Sequence, residues 1–302
     1  MVNLVEAQKP LLHGLIKLAG LRPTTVEVEP GTSMTFWVPK PKSKSKPKPA
    51  VILIHGFAAE GLVTWQFQIG ALTKKYSVYV PDLLFFGGST TGSADRSPAY
   101  QAECLAKALA KLGVSRCSLV GFSYGGMVSF KLAEMRPDLV EALVISGSIL
   151  AMTESVSEEE LSRMGFKSSA ELLLPTSVDG LKTLLKVATY KKLWFPNCLH
   201  KDYLEVMFTN RKERSELLEG LVIAEKNPDI PKFPQKIHLL WGENDQIFRM
   251  DIAQQMKEKL GEKATCEGIK KAGHLVHLER PCVYNRCLKR FLASVYFEGE
   301  SK

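Results

Sequence analysis

Apolar residues along this chain fall into short continuous runs separated by stretches of helical spacing. The runs at 51–54, 77–80, 116–120, 142–145, 236–241 and 264–269 read as strands. A strand with little polar character is what a parallel sheet covered on both faces requires. Upstream, 24–29 and 33–38 read as an antiparallel hairpin turning at Pro30-Gly31. Helices are expected over about 65–75, 99–112, a stretch ending near Met135, 251–260 and 281–296. Leu11, Leu12, Leu15, Ile16 and Leu18 can line one face of a further N-terminal helix, which is expected to pack on the domain.

The rhythm breaks from about 148 to 234. Helical periods continue there, at 170–174, 181–189, 201–208 and 211–225, with no good strand. The acidic, serine-rich segment Glu154–Glu160 suits a helix start. We read 148–234 as a helical cap inserted into a core made of 1–147 and 235–302. Strand–helix alternation predicts an α/β core with a mostly parallel, doubly wound, eight-stranded sheet and right-handed crossovers. Ligands of such sheets lie beyond the carboxyl ends of the strands. His55-Gly56-Phe57, Asp82, Ser123 and Ser146-Gly147 all fall at predicted strand ends.

Composition adds exclusions. With 302 residues, the chain can form one large domain or a core with an insertion. No run approaches the roughly 18 apolar residues of a membrane-spanning helix. The N-terminus lacks a basic region followed by an apolar core, so no signal peptide is read and a cytoplasmic location is expected. Stable membrane insertion is not expected; the amphipathic first helix leaves peripheral contact open. The net charge is +8, but Lys40, Lys42, Lys44, Lys46 and Lys48 lie in one Pro/Ser-rich linker, and setting those five aside leaves +3. Without interleaved aromatics this linker gives no case for nucleic acid. The six cysteines show no Cys-x-x-Cys pair, so reduced thiols are expected and no metal site is read. The last residues, Gly299 to Lys302, read as a frayed tail.

The candidate chemistry centres on Gly121-Phe122-Ser123-Tyr124-Gly125, followed by Gly126. A strand-like run precedes it and a helix-compatible stretch follows. That is the context of a nucleophile elbow, where a sharp turn exposes the apex side chain. A serine hydroxyl needs a base, usually histidine, and a carboxylate to hold the imidazole. Asp245 follows the predicted strand 236–241, and His274 follows 264–269. Glu243 and Asp251 are alternative carboxylates; Asp245 is favoured by its place in the Gly-Glu-Asn-Asp turn. His277 is an alternative base, and Gly273 favours His274; the other reading of His277 is a satisfied or surface histidine near the pocket rim. His55 is expected to brace its loop rather than react. An oxyanion hole needs two backbone amides. Tyr124, after the nucleophile, and Phe57, after the first parallel strand, are the candidates. Ile149, Trp194, Phe195, Met207, Phe208, Phe248 and the Phe57 side chain are candidates to line an apolar substrate pocket.

Together, His55-Gly56-Phe57, the segment 82–87 (DLLFFG), Gly121–Gly126, the segment 241–248 (WGENDQIF) and the segment 272–281 (AGHLVHLERP) resemble the α/β-hydrolase superfamily. Within it, the chain is similar to plant hydrolases described as like monoacylglycerol lipases and carbon–carbon bond hydrolases. The resemblance implies Ser123, Asp245 and His274 as a triad and no cofactor. It departs at Gly88, where many relatives carry aspartate, and at His277, where many carry a small or amide residue. The expected activity is a carboxylesterase or lipase-like cleavage of a small-molecule ester with an apolar acyl or alcohol part, through an acyl-enzyme. Alternatives on the same triad are carbon–carbon bond hydrolysis and acyl transfer in specialised metabolism. A small-molecule receptor of the karrikin or strigolactone type is a third reading, set against the roughly 80-residue insertion. Dehalogenases and epoxide hydrolases are disfavoured, because their elbow carries aspartate where this chain has Ser123.

Overall fold

The computed structural model describes residues 3–41, 47–224 and 230–297. Helix α1 (Leu4–Leu18) precedes the hairpin of β1 (Leu21–Glu29) and β2 (Thr32–Pro39). Then come β3 (Ala50–Ile54), α2 (Gly61–Leu72), β4 (Ser77–Pro81), the two-residue β5 (Thr90–Thr91), α3 (Pro98–Lys111), β6 (Cys117–Phe122), α4 (Tyr124–Met135) and β7 (Val140–Ser146). The middle of the chain holds β8 (Met152–Thr153), α5 (Glu154–Met164), α6 (Ser169–Leu173), α7 (Val178–Ala188), α8 (Asn197–Met207), α9 (Arg211–Glu219) and β9 (Val222–Ile223). β10 (Lys236–Gly242), α10 (Met250–Leu260), β11 (Ala264–Ile269), α11 (Val276–Glu279) and α12 (Pro281–Tyr296) follow.

The main sheet runs β1-β2-β4-β3-β6-β7-β10-β11, with β5 paired to β2. From β4 to β11 every neighbouring pair is parallel; β1, β2 and β5 are antiparallel. The pleat sends successive side chains to opposite faces, and each face has its own core. Ile52, Ile54, Leu119, Leu143, Ile145, Leu239 and Trp241 join α3, α4 and α10 on one side. Val51, Leu53, Val120, Val144 and Leu240 join α2 and α12 on the other. That is why these strands lack a polar face.

Several expectations shift. Helix α2 begins at Gly61, four residues early, because the Asp82 carboxylate accepts from the Gly61 N–H at 2.8 Å and caps the first turn from a distant strand end. Trp65 lies at a kink inside it (φ −106°, ψ 16°). The helix expected over 211–225 ends at Glu219, before Gly220, and β9 pairs in parallel with β8 where no strand was expected. Glu225 lies outside the described residues, as do Lys42, Lys44, Lys46 and the tail Gly299 to Lys302. On α1 only Ile16 is buried, while Leu11, Leu15 and Leu18 stand exposed, so the stripe does not pack as a whole. Among the described residues no helix is long and apolar enough to cross a membrane.

Candidate active site

The turn from β6 into α4 is sharp enough to put Ser123 at φ 52°, ψ −119°, a left-handed region that a residue with a Cβ rarely adopts. Its N–H donates to Ser146 O on β7 at 2.9 Å, which anchors the strained residue. The turn closes only because its flanks lack side chains. A Cβ on Gly121 would come 2.7 Å from Gly125 O, and one on Gly125 would come 2.4 Å from the carbonyl oxygens of both Ile54 and His55.

Two loops bring the partners. After β10, the chain turns so that Asp245 Oδ1 accepts from the N–H groups of Ile247 and Phe248 at 2.8 and 3.0 Å. This leaves Oδ2 aimed at His274 Nδ1, 2.8 Å away. Both residues are 5% exposed. With Nδ1 held by a carboxylate, Nε2 is the nitrogen free to take a proton from elsewhere. Glu243 and Asp251 are exposed, and Asp251 faces Arg249 instead.

Ser123 and His274 line one cavity of about 90 Å³, with Phe57, Leu184, Ala188, Phe208 and Leu275 among its walls. A second lobe, about 50 Å³, also includes Ser123 and is walled by Tyr124, Met127, Met164, Leu172 and Phe248. Phe57, Ser123, Leu173 and Ile247 line both. Among the described residues no lysine or arginine lines either lobe, and the one carboxylate that does, Glu160, is ion-paired to Arg163 and, at 3.5 Å, Arg249. The amide N–H groups of Phe57 and Tyr124 meet no acceptor among the described residues.

The candidate pocket residues divide. Phe57, Phe208 and Phe248 line the lobes, as does Tyr124. Ile149 does not; it faces a separate groove with Leu150, Arg249 and Met256. Met207 belongs to a different, polar cavity of about 590 Å³ that includes Lys9, Glu60, Asp82 and Arg214 but none of Ser123, Asp245 and His274. That cavity exceeds both lobes in volume, yet it has no nucleophile–base pair, so chemistry rather than size identifies the site. Trp194 is 85% exposed and Phe195 39%, because both fall on the irregular connection between α7 and α8 rather than on a helix facing the core.

The neighbouring histidines are explained by burial. His55 donates from Nδ1 to Gly56 O at 2.6 Å and accepts from the Leu83 N–H at Nε2, at 2.9 Å. That pair of bonds needs the neutral ring, and burial holds its pKa down at about 4. His277 borders the lobe that contains His274 yet is not exposed. It is wholly buried between Phe122, Trp65 and Tyr284, with ring centroids 4.4, 4.9 and 6.0 Å away. Neither ring nitrogen meets a partner among the described residues. Desolvation, helped by His274, pulls its pKa down to about 3. At Gly88, an added Cβ would come 2.8 Å from Thr35 Cγ2, so a larger residue there would require Thr35 to shift.

The walls from α6 and α7 were missed as individual residues. Their signal was the leucine spacing of 170–189, which marks helices but not which face meets the cavity. Arg214 was missed too. Its guanidinium is buried, donates to Phe85 O at 3.1 Å and Met207 O at 2.5 Å, and lies 4.1 Å over the Phe86 ring.

A family model described as alpha/beta hydrolase fold matches residues 49–174. Monoacylglycerol lipase ABHD6 of Bos taurus is 26% identical over 273 residues, covering 84% of this chain and 78% of that protein. A 2-hydroxy-6-oxononadienedioate/2-hydroxy-6-oxononatrienedioate hydrolase of a Pseudomonas species is 25% identical, covering 80% and 87%. A putative lipase of Acinetobacter baumannii superposes with a TM-score of 0.80 at 22% identity, covering 95% of this chain and 96% of that one. The fold is the α/β-hydrolase fold, and the similarities support hydrolase activity. The relatives named above come from a mammal and bacteria and are not specifically plant proteins.

Proposed function

We propose that this chain is a serine hydrolase that cleaves an ester with an apolar acyl or alcohol part, with residues 148–234 serving as the cap over its site. The observation that carries this is the buried Asp245–His274 pair, 2.8 Å apart, opening on the same apolar cavity as the strained Ser123. Ser123 Oγ attacks the carbonyl carbon while His274 Nε2 takes its proton, and Asp245 stabilises the imidazolium. The Phe57 and Tyr124 amides receive the negative charge of the tetrahedral intermediate. His274 returns the proton to the departing alcohol, leaving an acyl-enzyme. Water, deprotonated by His274, then releases the acid.

The two lobes divide the substrate. The proton donor must lie beside the leaving oxygen, so the lobe that contains His274 takes the alcohol. The lobe that lacks it, beyond Tyr124 and Met127, takes the acyl chain. Ester cleavage fits this lining better than carbon–carbon hydrolysis of the Pseudomonas relative's kind. That relative's substrate is by name a dicarboxylate, and among the described residues no lysine or arginine faces the lobes to pair with one.

A fluorophosphonate probe should label Ser123 and leave Ser123→Ala unlabelled. The wild type should hydrolyse apolar esters from a panel that varies acyl and alcohol separately. Absence of turnover across that panel, together with ligand-induced shifts in melting temperature, would favour a receptor and overturn the reading.

A further inference from the structure

Four large apolar side chains stand exposed within six residues of one connection: Tyr190 (44%), Leu193 (44%), Trp194 (85%) and Phe195 (39%). The segment reads Tyr190-Lys191-Lys192-Leu193-Trp194-Phe195-Pro196 and contains no carboxylate. Neither lysine is ion-paired among the described residues. The other three tryptophans are buried: Trp37 at 8%, Trp65 and Trp241 at 0%. A tryptophan so exposed, flanked by exposed Leu193 and Phe195, concentrates apolar surface on one short loop and marks an interaction site.

The loop is rooted beside the candidate site. Glu279 Oε1 accepts from the N–H groups of Tyr190 and Lys191 at 2.9 and 3.1 Å, and its other oxygen accepts from the Gly273 N–H at 2.6 Å. The Leu275 N–H donates to Ala188 O at 3.1 Å. Thus one end of the loop is pinned to the segment that carries His274, while Leu193 to Phe195 project outward. Leu185 and Ala188, at the end of α7 that feeds this loop, wall the lobe that contains His274.

We propose that the 190–196 loop docks this protein on the surface of a lipid bilayer with anionic headgroups. The chemistry matches on both counts. Tryptophan and phenylalanine settle at the boundary between headgroups and acyl chains. Lysines flanking them meet lipid phosphates, each with roughly 1 kcal/mol of attraction near an anionic surface. A second copy of this chain is a poorer occupant, since a two-fold contact through this patch would set Lys191 and Lys192 against their own copies. A stable protein partner needs about 800 Å² per side, far more than one loop supplies. The inference does not rest on the hydrolase reading.

Trp194 provides the test, because it is the exposed tryptophan. The full-length protein is titrated with phosphatidylcholine vesicles, with and without phosphatidylserine, following tryptophan emission and cosedimentation. Emission should shift to the blue with phosphatidylserine vesicles at low salt, and 0.5 M salt should reverse most of it, as roughly expected for screened charges. Trp194→Ala should weaken vesicle binding about ten-fold or more. Lys191→Glu/Lys192→Glu should abolish the preference for phosphatidylserine. Leu11→Ser/Leu15→Ser, on the exposed stripe of α1, should bind as wild type does. A far-UV circular dichroism spectrum and a melting temperature equal to those of wild type report that Trp194→Ala is folded. An emission unmoved by either vesicle, wild-type binding by Trp194→Ala, loss of binding on the α1 change, or a blue shift that tracks protein concentration without lipid would each overturn the proposal.

Discussion

Replacing His277 by phenylalanine should make the protein more resistant to acid. The folded chain holds His277 neutral down to about pH 3 because the ring is wholly buried beside His274. The unfolded chain takes up that proton at the ordinary histidine pKa of about 6.5. Between those values the unfolded state binds more protons than the folded one, so stability falls as pH drops from about 6.5 and levels off near 3. The slope for one such group is about 1.4 kcal/mol per pH unit, which gives roughly 2 kcal/mol lost at pH 5. His55, held down at about 4, adds the same slope over most of that range. A phenylalanine at 277 has an aromatic slot between Phe122, Trp65 and Tyr284, and it removes two nitrogens that have no partner among the described residues.

The assay is urea unfolding of wild type and His277→Phe at pH 7.5 and pH 5.0. Any packing cost of the larger ring is common to both pH values and cancels in the difference. The variant should gain about 2 kcal/mol relative to wild type on going to pH 5 and should keep the slope that belongs to His55. Parallel pH profiles for the two proteins would refute the reasoning, since they would mean that His277 takes up its proton equally in both states.

Other consequences follow from single residues. Asp245→Asn keeps an Oδ1 for the Ile247 and Phe248 amides but turns an NH₂ toward His274; turnover should fall roughly 10³–10⁴-fold with little change in melting temperature. Gly125→Ala should lose about 1–3 kcal/mol in a thermal melt, because its Cβ meets two backbone carbonyls at 2.4 Å. Arg214→Met should destabilise by about 2–4 kcal/mol in urea, since it strips donors from the carbonyls of Phe85 and Met207. If the lobes divide as proposed, Leu184→Trp should raise KM selectively for esters of bulky alcohols. Met127→Trp should do so for long acyl chains, with each variant sparing the other series.

The inner strands β3, β6, β7 and β10 were legible because burial on both faces leaves them mostly apolar. The sheet's eight long strands all appear near their expected places. The hairpin's turn and the strand ends carrying Ser123, Asp245 and His274 follow from turn residues that act locally. What was not legible depends on distant partners. Nothing near Gly61 in the sequence announces that Asp82 will cap its helix. The burial of His277 depends on α2 and α12 closing over it, and the two-residue strands β8 and β9 are too short to carry a period. Trp194 and Phe195 were expected in the pocket because aromatic residues usually bury; their neighbours, two lysines and a proline, were the better signal.

Phe85 shows how the inserted helices are tied to the loop beside the site. Its φ of 72° is costly for a residue with a bulky side chain, and strain of this kind persists only where the surroundings over-determine it. Here they do. The Phe85 carbonyl accepts from Asn210 Nδ2 at 3.0 Å and Arg214 Nε at 3.1 Å, both from the start of α9. Its ring lies 4.6 Å from the Arg96 guanidinium, which bonds Glu216 on the same helix at 2.8 Å. The adjacent Phe86 ring meets His55, Phe57 and Tyr124 at 4.9, 5.4 and 6.3 Å. A single loop of the core therefore touches both α9 and the two residues whose amides are proposed to hold the oxyanion. Phe85→Gly would relieve the strained φ but leave the bonds of its carbonyl in place. If α9 holds this loop chiefly through that carbonyl, Phe85→Gly should keep activity while Arg214→Met lowers it, and equal losses from the two would place the tie in the aromatic rings instead.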